Sequence, residues 1–282
     1  VALLVVGLAH PVDAQPSEDN IWWDPDDPRI GLEAGWYDAE SASENMTLLS
    51  SDPRPDAFVN PSNPGDLGVA NSDIAFRDNY AIVGNFMGFM IYDISDPAQP
   101  ELQTTVVCPG GQGDVSIYGD LIFMSVEEAR GRLDCGTEGT SGPVDEERFR
   151  GVRIFDVSDM TAPQQIAAVQ TCRGSHTHTI LDSPADDENL YVYVSGTGFV
   201  RSSAELEGCS DRPPSEDPET SLFQIEVIQV PLDAPETAEI VNEPRIFQDQ
   251  ETGDPDGLWP GGDHGEDTQR TRATNRCHDI TV

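Results

Sequence analysis

The chain contains no lysine. All 15 of its basic residues are arginines, and 52 acidic residues leave a formal net charge of −37. A surface this negative repels phosphate backbones and anionic lipid headgroups, so we expect neither nucleic-acid binding nor membrane-surface binding. Acidic residues are spread along the chain rather than clustered, which indicates a solvated surface suited to salty surroundings. A cation-binding surface is the alternative.

Long hydrophobic runs are scarce as well. Only the first nine residues, VALLVVGLA, are continuously apolar, and this run is too short to span a bilayer. It leads to Val12-Asp13-Ala14, a small-x-small pattern typical of signal-peptide cleavage. We interpret residues 1–14 as a signal-peptide remnant, with a buried apolar strand as the alternative. The protein is then expected to be secreted, periplasmic or at the cell surface, with no transmembrane segment.

Three motifs of common functional classes are missing. The sequence has no Gly-x-Ser-x-Gly elbow, so a serine hydrolase has no support. The glycine-rich CPGGQGD segment, Cys108–Asp114, lacks the lysine and the following helix of a phosphate-binding loop. The DPDG segment near Asp254 lacks the remaining ligands of a calcium-binding EF hand.

What the chain does contain is a series of short β-type runs separated by turn residues. Residues 15–64, rich in Asp, Pro, Ser and Asn, are predicted to be an irregular acidic leader. They are followed by runs such as NYAIVGN, GFMIYDIS and ELQTTVV, and no segment has a long helical period. The sequence therefore predicts an all-β domain over residues 65–282.

The β-type runs repeat. GFMIYDISDPAQPELQ and GVRIFDVSDMTAPQQI superpose with an offset of 63 residues, which places Asp93 on Asp156. Asp73 precedes Asp114 by only 41 residues, and the difference lies in an insertion from about residue 127 to 148. A weaker third copy begins near Glu226. A basic period near 41 residues with four short strands is the signature of a β-propeller blade.

A known family shares this pattern. The segment NYAIVGNFMGFMIYDISDPAQP resembles the LVIVD repeat, in which an aliphatic strand ends in Asp-[Ile/Val]-Ser-Asp-Pro. The resemblance covers about residues 70–282 in three copies, the third assigned by spacing alone, and HDITV at His278 starts a fourth. It implies a secreted or cell-surface β-propeller from a mostly uncharacterised family. We expect an incomplete propeller of about three blades and the start of a fourth.

The repeated aspartates have a structural interpretation. An aspartate that ends a strand can accept backbone N–H groups of the following turn, and proline fixes φ within such a turn. We therefore assign a role in turn architecture, rather than in catalysis, to Asp93, Asp96, Asp156 and Asp159.

Histidines are concentrated where a propeller usually binds ligands. His176 and His178 start the first strand of the third repeat, and His278 starts the first strand of the fourth. Side chains two apart on a strand point the same way, so these two imidazoles could share one divalent ion, with His278 and Asp279 or Asp114 as further ligands. The alternative is that the histidines fix the loops by hydrogen bonds to carbonyls and carboxylates. The identity of such a metal is left open.

The cysteines follow the repeat as well. Cys108, Cys172 and Cys277 each precede a first strand, whereas Cys135 and Cys209 each lie in the loop between the second and third strands. This pattern predicts the disulfides Cys108–Cys135 and Cys172–Cys209, with a thiolate metal site as the alternative. Cys277 would then pair with a residue beyond the chain.

Two functions are compatible with these patterns. The first is an exported propeller that acts as a binding or interaction module through its top-face loops, with a protein, glycan or small-molecule ligand. The second is a metal-dependent enzyme in which a histidine-bound ion activates water or substrate.

Overall fold

The structure is a computed structural model that describes residues 26–35, 38–244, 251, 261–263, 265–267, 270–272 and 274–282. The predicted signal remnant at residues 1–14 lies outside the described residues. The chain divides into two compact units, Val1–Leu48 and Leu49–Val282. In the first unit the described residues form turns and irregular backbone, stabilised locally by an ion pair between Arg29 and Asp27. The leader boundary at residue 64 stays a prediction.

The second unit contains twelve strands in three four-stranded antiparallel sheets, each formed by four consecutive strands. Three short 3₁₀ helices, η1 (Asp56–Phe58), η2 (Leu67–Val69) and η3 (Pro235–Thr237), accompany them. Within the described residues, no helix has the length and apolar character needed to cross a bilayer. The strands are β1 (Asn71–Arg77), β2 (Tyr80–Asn85), β3 (Gly88–Asp93), β4 (Glu101–Val107), β5 (Val115–Tyr118), β6 (Leu121–Val126), β7 (Gly151–Asp156), β8 (Gln164–Gln170), β9 (Thr177–Asp182), β10 (Asn189–Ser195), β11 (Ile225–Pro231) and β12 (Glu239–Asn242).

The middle sheet, β5–β8, is buried on both faces. Side chains alternate along β6, so Ile122 and Met124 pack towards the first sheet while Leu121 and Phe123 pack towards the third. All six residues of β6 are buried, which explains why five of them are apolar and Ser125 is the exception. Face-to-face packing of consecutive four-stranded antiparallel sheets is the arrangement of propeller blades, so the predicted all-β propeller fold class is confirmed.

Glycine at the start of the third strand of the first two sheets is required by close approach of the backbone. Gly88 and Gly151 have φ of 137° and 144°, and an added Cβ would lie 1.9 Å and 2.0 Å from the carbonyl oxygens of Val106 and Val169 respectively. Only glycine fits such a position without moving the neighbouring strand.

The third sheet departs from the repeat at the end of its third strand, in the copy that was assigned by spacing alone. Pro231 pairs with the first residue of β10, the position held by Asp93 and Asp156 in the other sheets. Residues 278–282, predicted to start a fourth repeat, form no strand but lie beside β9. The hydroxyl of Thr179 donates to the carbonyl oxygen of Ile280 at 2.6 Å.

Candidate functional site

In an antiparallel meander the strands alternate in direction, so the connections between second and third strands all lie at the same end of the sheets. The long loops of the second unit are two of these connections. This end carries the β6–β7 connection and the β10–β11 connection. It also carries the segments that lead into β5 and β9. We call the surface formed by residues 108–114, 127–150, 171–176 and 196–224 the loop face.

Both predicted disulfides are present at the loop face. Cys108 is bonded to Cys135 with a Cα–Cα distance of 4.3 Å, and Cys172 is bonded to Cys209 with a Cα–Cα distance of 5.3 Å. Each bridge ties a long connection to the segment that leads into the first strand of the same sheet. Among the described residues, Cys277 is the free cysteine.

A buried ion cluster joins the two long loops to each other. Glu205, from the β10–β11 connection (the second loop), accepts hydrogen bonds from the guanidinium of Arg148 in the β6–β7 connection (the first loop) and, at 2.8 Å, from Arg201 Nε. The exposed fractions of the three side chains are 4%, 8% and 2% respectively. Glu205 also accepts a bond of 3.1 Å from the backbone N–H of Asp145. The carboxylate is thus held by two cations and by the first loop's backbone.

Other buried arginines bind loop carbonyls. Arg150 donates to the carbonyl oxygen of Phe199 at 2.8 Å, and Arg173 donates to that of Gly198 at 2.9 Å and to that of Asn275. Burial lowers the pKa of Arg173 to about 10. Guanidinium groups, with five donors in a planar fork, suit this role because several carbonyls can be satisfied by one side chain.

One buried glutamate lies beneath the second disulfide. Glu226 on β11 is 1% exposed and accepts a hydrogen bond of 3.1 Å from the backbone N–H of Cys172. Burial raises the pKa of Glu226 to about 8, so the carboxyl group is protonated in neutral solution.

His178 lies in a buried network. Its Nδ1 is 2.8 Å from Asp114 Oδ2 and 2.8 Å from Ser125 Oγ, and its backbone N–H donates to the same carboxylate at 2.9 Å. The His178 side chain has no exposed surface, and its Nε2 has no hydrogen-bond partner. The network connects β9 to β6 and to the segment before β5.

Asp114 also contacts a second carboxyl group, that of Asp73 on β1. Burial raises the pKa of Asp73, and the neighbouring charge of Asp114 raises it further. Burial opposes the ionisation of Asp114, but the hydrogen bonds and charge of His178, together with the hydrogen bond from Asp73, outweigh it and lower the pKa of Asp114. As the pH falls, Asp73 is therefore protonated before Asp114, and Asp114 keeps the negative charge that faces His178.

His176 lies closer to solvent and has a different carboxylate partner. Its Nδ1 is 2.8 Å from Glu127 Oε2, an atom that also accepts a hydrogen bond of 2.6 Å from Thr197 Oγ1. The hydrogen bond to Glu127 raises the pKa of His176 above its usual value, and burial opposes this shift. Glu127 was not predicted from the sequence; its only signal is that it immediately follows β6, at the start of the insertion.

His278 packs against His176. The ring centroids are 4.4 Å apart with an interplanar angle of 52°, and His278 Nδ1 is 2.5 Å from Asp279 Oδ2. Thr177 Oγ1 donates at 3.1 Å both to the carbonyl oxygen of His278 and to Asp279 Oδ1, which fixes this dipeptide beside β9.

The structure thus separates the predicted metal ligands into two groups. His176, His278 and Asp279 come together near the surface, whereas His178 and Asp114 form the buried network. Each imidazole has a carboxylate at Nδ1. Within the described part of the chain, no three His, Cys, Asp or Glu side chains converge as a ready-made metal site. The metal prediction stays a prediction.

The aspartates assigned to turns each accept a backbone N–H two residues further along. The acceptor distances are 2.8 to 3.0 Å. The donors are Ser95 for Asp93, Ala98 for Asp96, Ser158 for Asp156 and Thr161 for Asp159.

Residues 68–107 match the family model of the LVIVD repeat, which confirms the resemblance noted in the sequence. The chain is also similar to the computationally designed Ika4 protein, with 14% identity, coverage of 61% of this chain and 90% of that chain, and a TM-score of 0.25. The N-terminal domain of Nup159 is 12% identical, with coverage of 66% and 51% and a TM-score of 0.23. No curated protein sequence matches the chain.

Proposed function

We propose that this protein is an exported β-propeller binding module whose partner docks on the loop face. The supporting observation is that the long loops are additional to the fold and yet are rigidly held. In the first sheet, Phe86 and Met87 alone connect the second strand to the third, so residues 127–150 and 196–224 are not needed to complete a blade.

Rigid loops are what a recognition surface requires, because a surface that is ordered before binding loses less conformational entropy when the partner docks. Each loop is held by its own disulfide, and the Arg148–Glu205–Arg201 cluster holds the two loops to each other. Such a cluster contributes order to loops that have no regular secondary structure of their own.

The exposed groups of the loop face favour a protein partner with a basic surface. Phe199 is 79% exposed, with the guanidinium of Arg276 5.3 Å from its ring centroid, and exposed aromatic side chains are common anchors in protein interfaces. Exposed carboxylates lie on both long loops, so the field of this face would accelerate association with a cationic surface. These carboxylates include Glu128, Asp134, Glu146, Glu207 and Asp211.

Export is part of the same proposal. Disulfides form and persist mainly outside the reducing cytosol, so the two bridges are compatible with an extracellular or periplasmic location. The predicted signal remnant supports the same compartment.

Site-specific cross-linking tests the proposal. A photo-reactive amino acid is placed at Phe199 and, in a matched control, at Asp187 in the β9–β10 turn, which lies at the opposite end of the sheets. Both full-length proteins are exposed to native secretions of the source cells. We expect a defined protein adduct from the Phe199 position, with a yield that falls as salt is raised, and none from the Asp187 position. Equal adducts from both positions, or none from either, would contradict docking on the loop face.

A further inference from the structure

His176 and His278 have their rings in contact, and each ring has a carboxylate at Nδ1. A carboxylate can only accept hydrogen bonds, so Glu127 at 2.8 Å from His176 Nδ1 requires that Nδ1 carries the proton. The same holds for Asp279 at 2.5 Å from His278 Nδ1. In the neutral state of both rings the lone pairs are therefore on Nε2.

Metal-binding histidines characteristically donate their second ring nitrogen to a carboxylate, which fixes the tautomer and makes the ring a better ligand. Both rings satisfy this condition with different carboxylates. Their centroids are 4.4 Å apart, and a rotation of the exposed His278 ring can direct both Nε2 atoms at one ion, to which zinc–nitrogen bonds are about 2.0–2.1 Å long.

We propose that His176 and His278 bind one borderline divalent cation of the Zn²⁺ type through their Nε2 atoms. With two protein ligands, the remaining coordination positions are open to water or to a ligand of the ion. Glu127 and Asp279 act as outer carboxylates that orient the rings. This inference does not depend on the partner proposed for the loop face.

Three hydrogen bonds hold the segment that carries His278, one to His278 itself and two to Asn275. Thr177 Oγ1 donates to the His278 carbonyl oxygen at 3.1 Å, Arg173 donates to that of Asn275, and the Phe223 backbone N–H donates to the latter at 3.3 Å. The His278 side chain is nevertheless 70% exposed, whereas that of His176 is 13% exposed. An ion can therefore reach the pair from solvent on the His278 side.

The chemistry of the donors selects the class of cation. Imidazole nitrogen suits zinc, copper, nickel and cobalt, whereas calcium and magnesium require oxygen ligands. His178 is not part of the site, because its side chain is fully buried and its Nδ1 belongs to the Asp114 network. The structure thus narrows the ligand set expected from the sequence to two histidines.

Zinc titration of the full-length protein tests this inference. Chelator-treated protein is titrated with Zn²⁺ by calorimetry at pH 8, and with Co²⁺ by visible absorption, in excess Ca²⁺ to occupy non-specific carboxylates. We expect one zinc ion per chain. His176→Ala and His278→Ala should each weaken binding by about 100-fold or more, and Asp279→Asn by about 10- to 100-fold, as is typical of outer carboxylates.

The control is Cys277→Ser, which removes the neighbouring free thiol and should leave zinc affinity unchanged. Because His278 is largely exposed, its replacement leaves the fold intact, and unfolding curves of all variants verify this. Absence of zinc binding by the wild type would overturn the inference, as would unchanged affinity in His278→Ala or loss of affinity in Cys277→Ser. The cross-linking result at Phe199 is obtained without added metal, so failure of either proposal is seen separately.

Discussion

Replacing Glu205 by glutamine tests whether the buried ion cluster holds the two loops of the loop face. The amide keeps the shape of the side chain but removes the charge that faces Arg148 and Arg201. These side chains are 8% and 2% exposed, so two guanidinium groups would remain buried without a counter-charge. Removing one partner of a buried ion pair costs about 3–5 kcal/mol, and we expect a loss in this range for Glu205→Gln.

The control is Glu207→Gln, which removes the same charge from an exposed position of the same loop. Urea unfolding gives the free energy of unfolding, and limited proteolysis reports whether residues 127–150 and 196–224 open before the sheets unfold. We expect rapid cleavage in both loops of Glu205→Gln and wild-type resistance in Glu207→Gln. If the two variants match in stability and cleavage, the cluster does not order the loops.

The stability that the Glu205 carboxylate contributes should also disappear in acid. Burial raises the pKa of Glu205, but the Arg201 hydrogen bond and the charges of Arg201 and Arg148 outweigh it, so its pKa lies below the usual 4.5. A lowered folded-state pKa contributes stability that is complete above about pH 4.5 and is lost as the pH falls through the folded-state value. The stability difference between wild type and Glu205→Gln should therefore shrink below that pH. A constant difference would contradict the assigned role.

Three further outcomes are expected. Removal of the Cys172–Cys209 bridge by double substitution to serine should lower the free energy of unfolding by about 3.8 kcal/mol, because the unfolded chain regains the entropy of a 37-residue loop. Cys277→Ser should change the free energy of unfolding little. Chemical denaturation measures both variants. Because the folded-state pKa of Glu226 is raised to about 8, the free energy of unfolding should fall by about 1.4 kcal/mol for each unit by which the pH rises from about 4.5 to 8. Glu226→Gln should remove this pH dependence, which unfolding curves across that range measure. The wild-type melting temperature should rise between 0.1 M and 1 M salt, where the Debye length falls from about 10 Å to about 3 Å, since self-repulsion at a charge of −37 is screened; an unchanged value would contradict the halophilic interpretation of the surface.

The sequence predicted the sheets well because strand signals are local. The alternation, turn residues and repeat spacing of runs such as those of β3 and β7 can be recognised in the sequence without knowledge of tertiary contacts. The disulfides followed for the same reason: the repeat assigns each cysteine to one end of a particular sheet, and Cys108 and Cys135 share both the end and the sheet.

The electrostatic partners were not predictable in the same way. Glu127 meets His176 across a separation of 49 residues, and Glu205 meets Arg148 across 57. Neither pair has a sequence pattern, because the contacts arise from how adjacent sheets and their loops pack. The hypothesis that His176 and His178 share one ion contained no signal for the hydrogen bond between His176 and Glu127.

The connection between β2 and β3 has a consequence for how new specificities could arise. The equivalent corners of the second and third sheets have accepted long insertions, whereas the corner formed by Phe86 and Met87 remains at its minimum length. Its backbone is held by hydrogen bonds from Phe86 to Ala70, from Gly110 to Phe86 and from Cys108 to Met87. A foreign segment grafted between these two residues, with those bonds preserved, would be displayed alongside the existing loops. The blade thus offers a vacant position for engineering or for evolutionary gain of a third recognition loop.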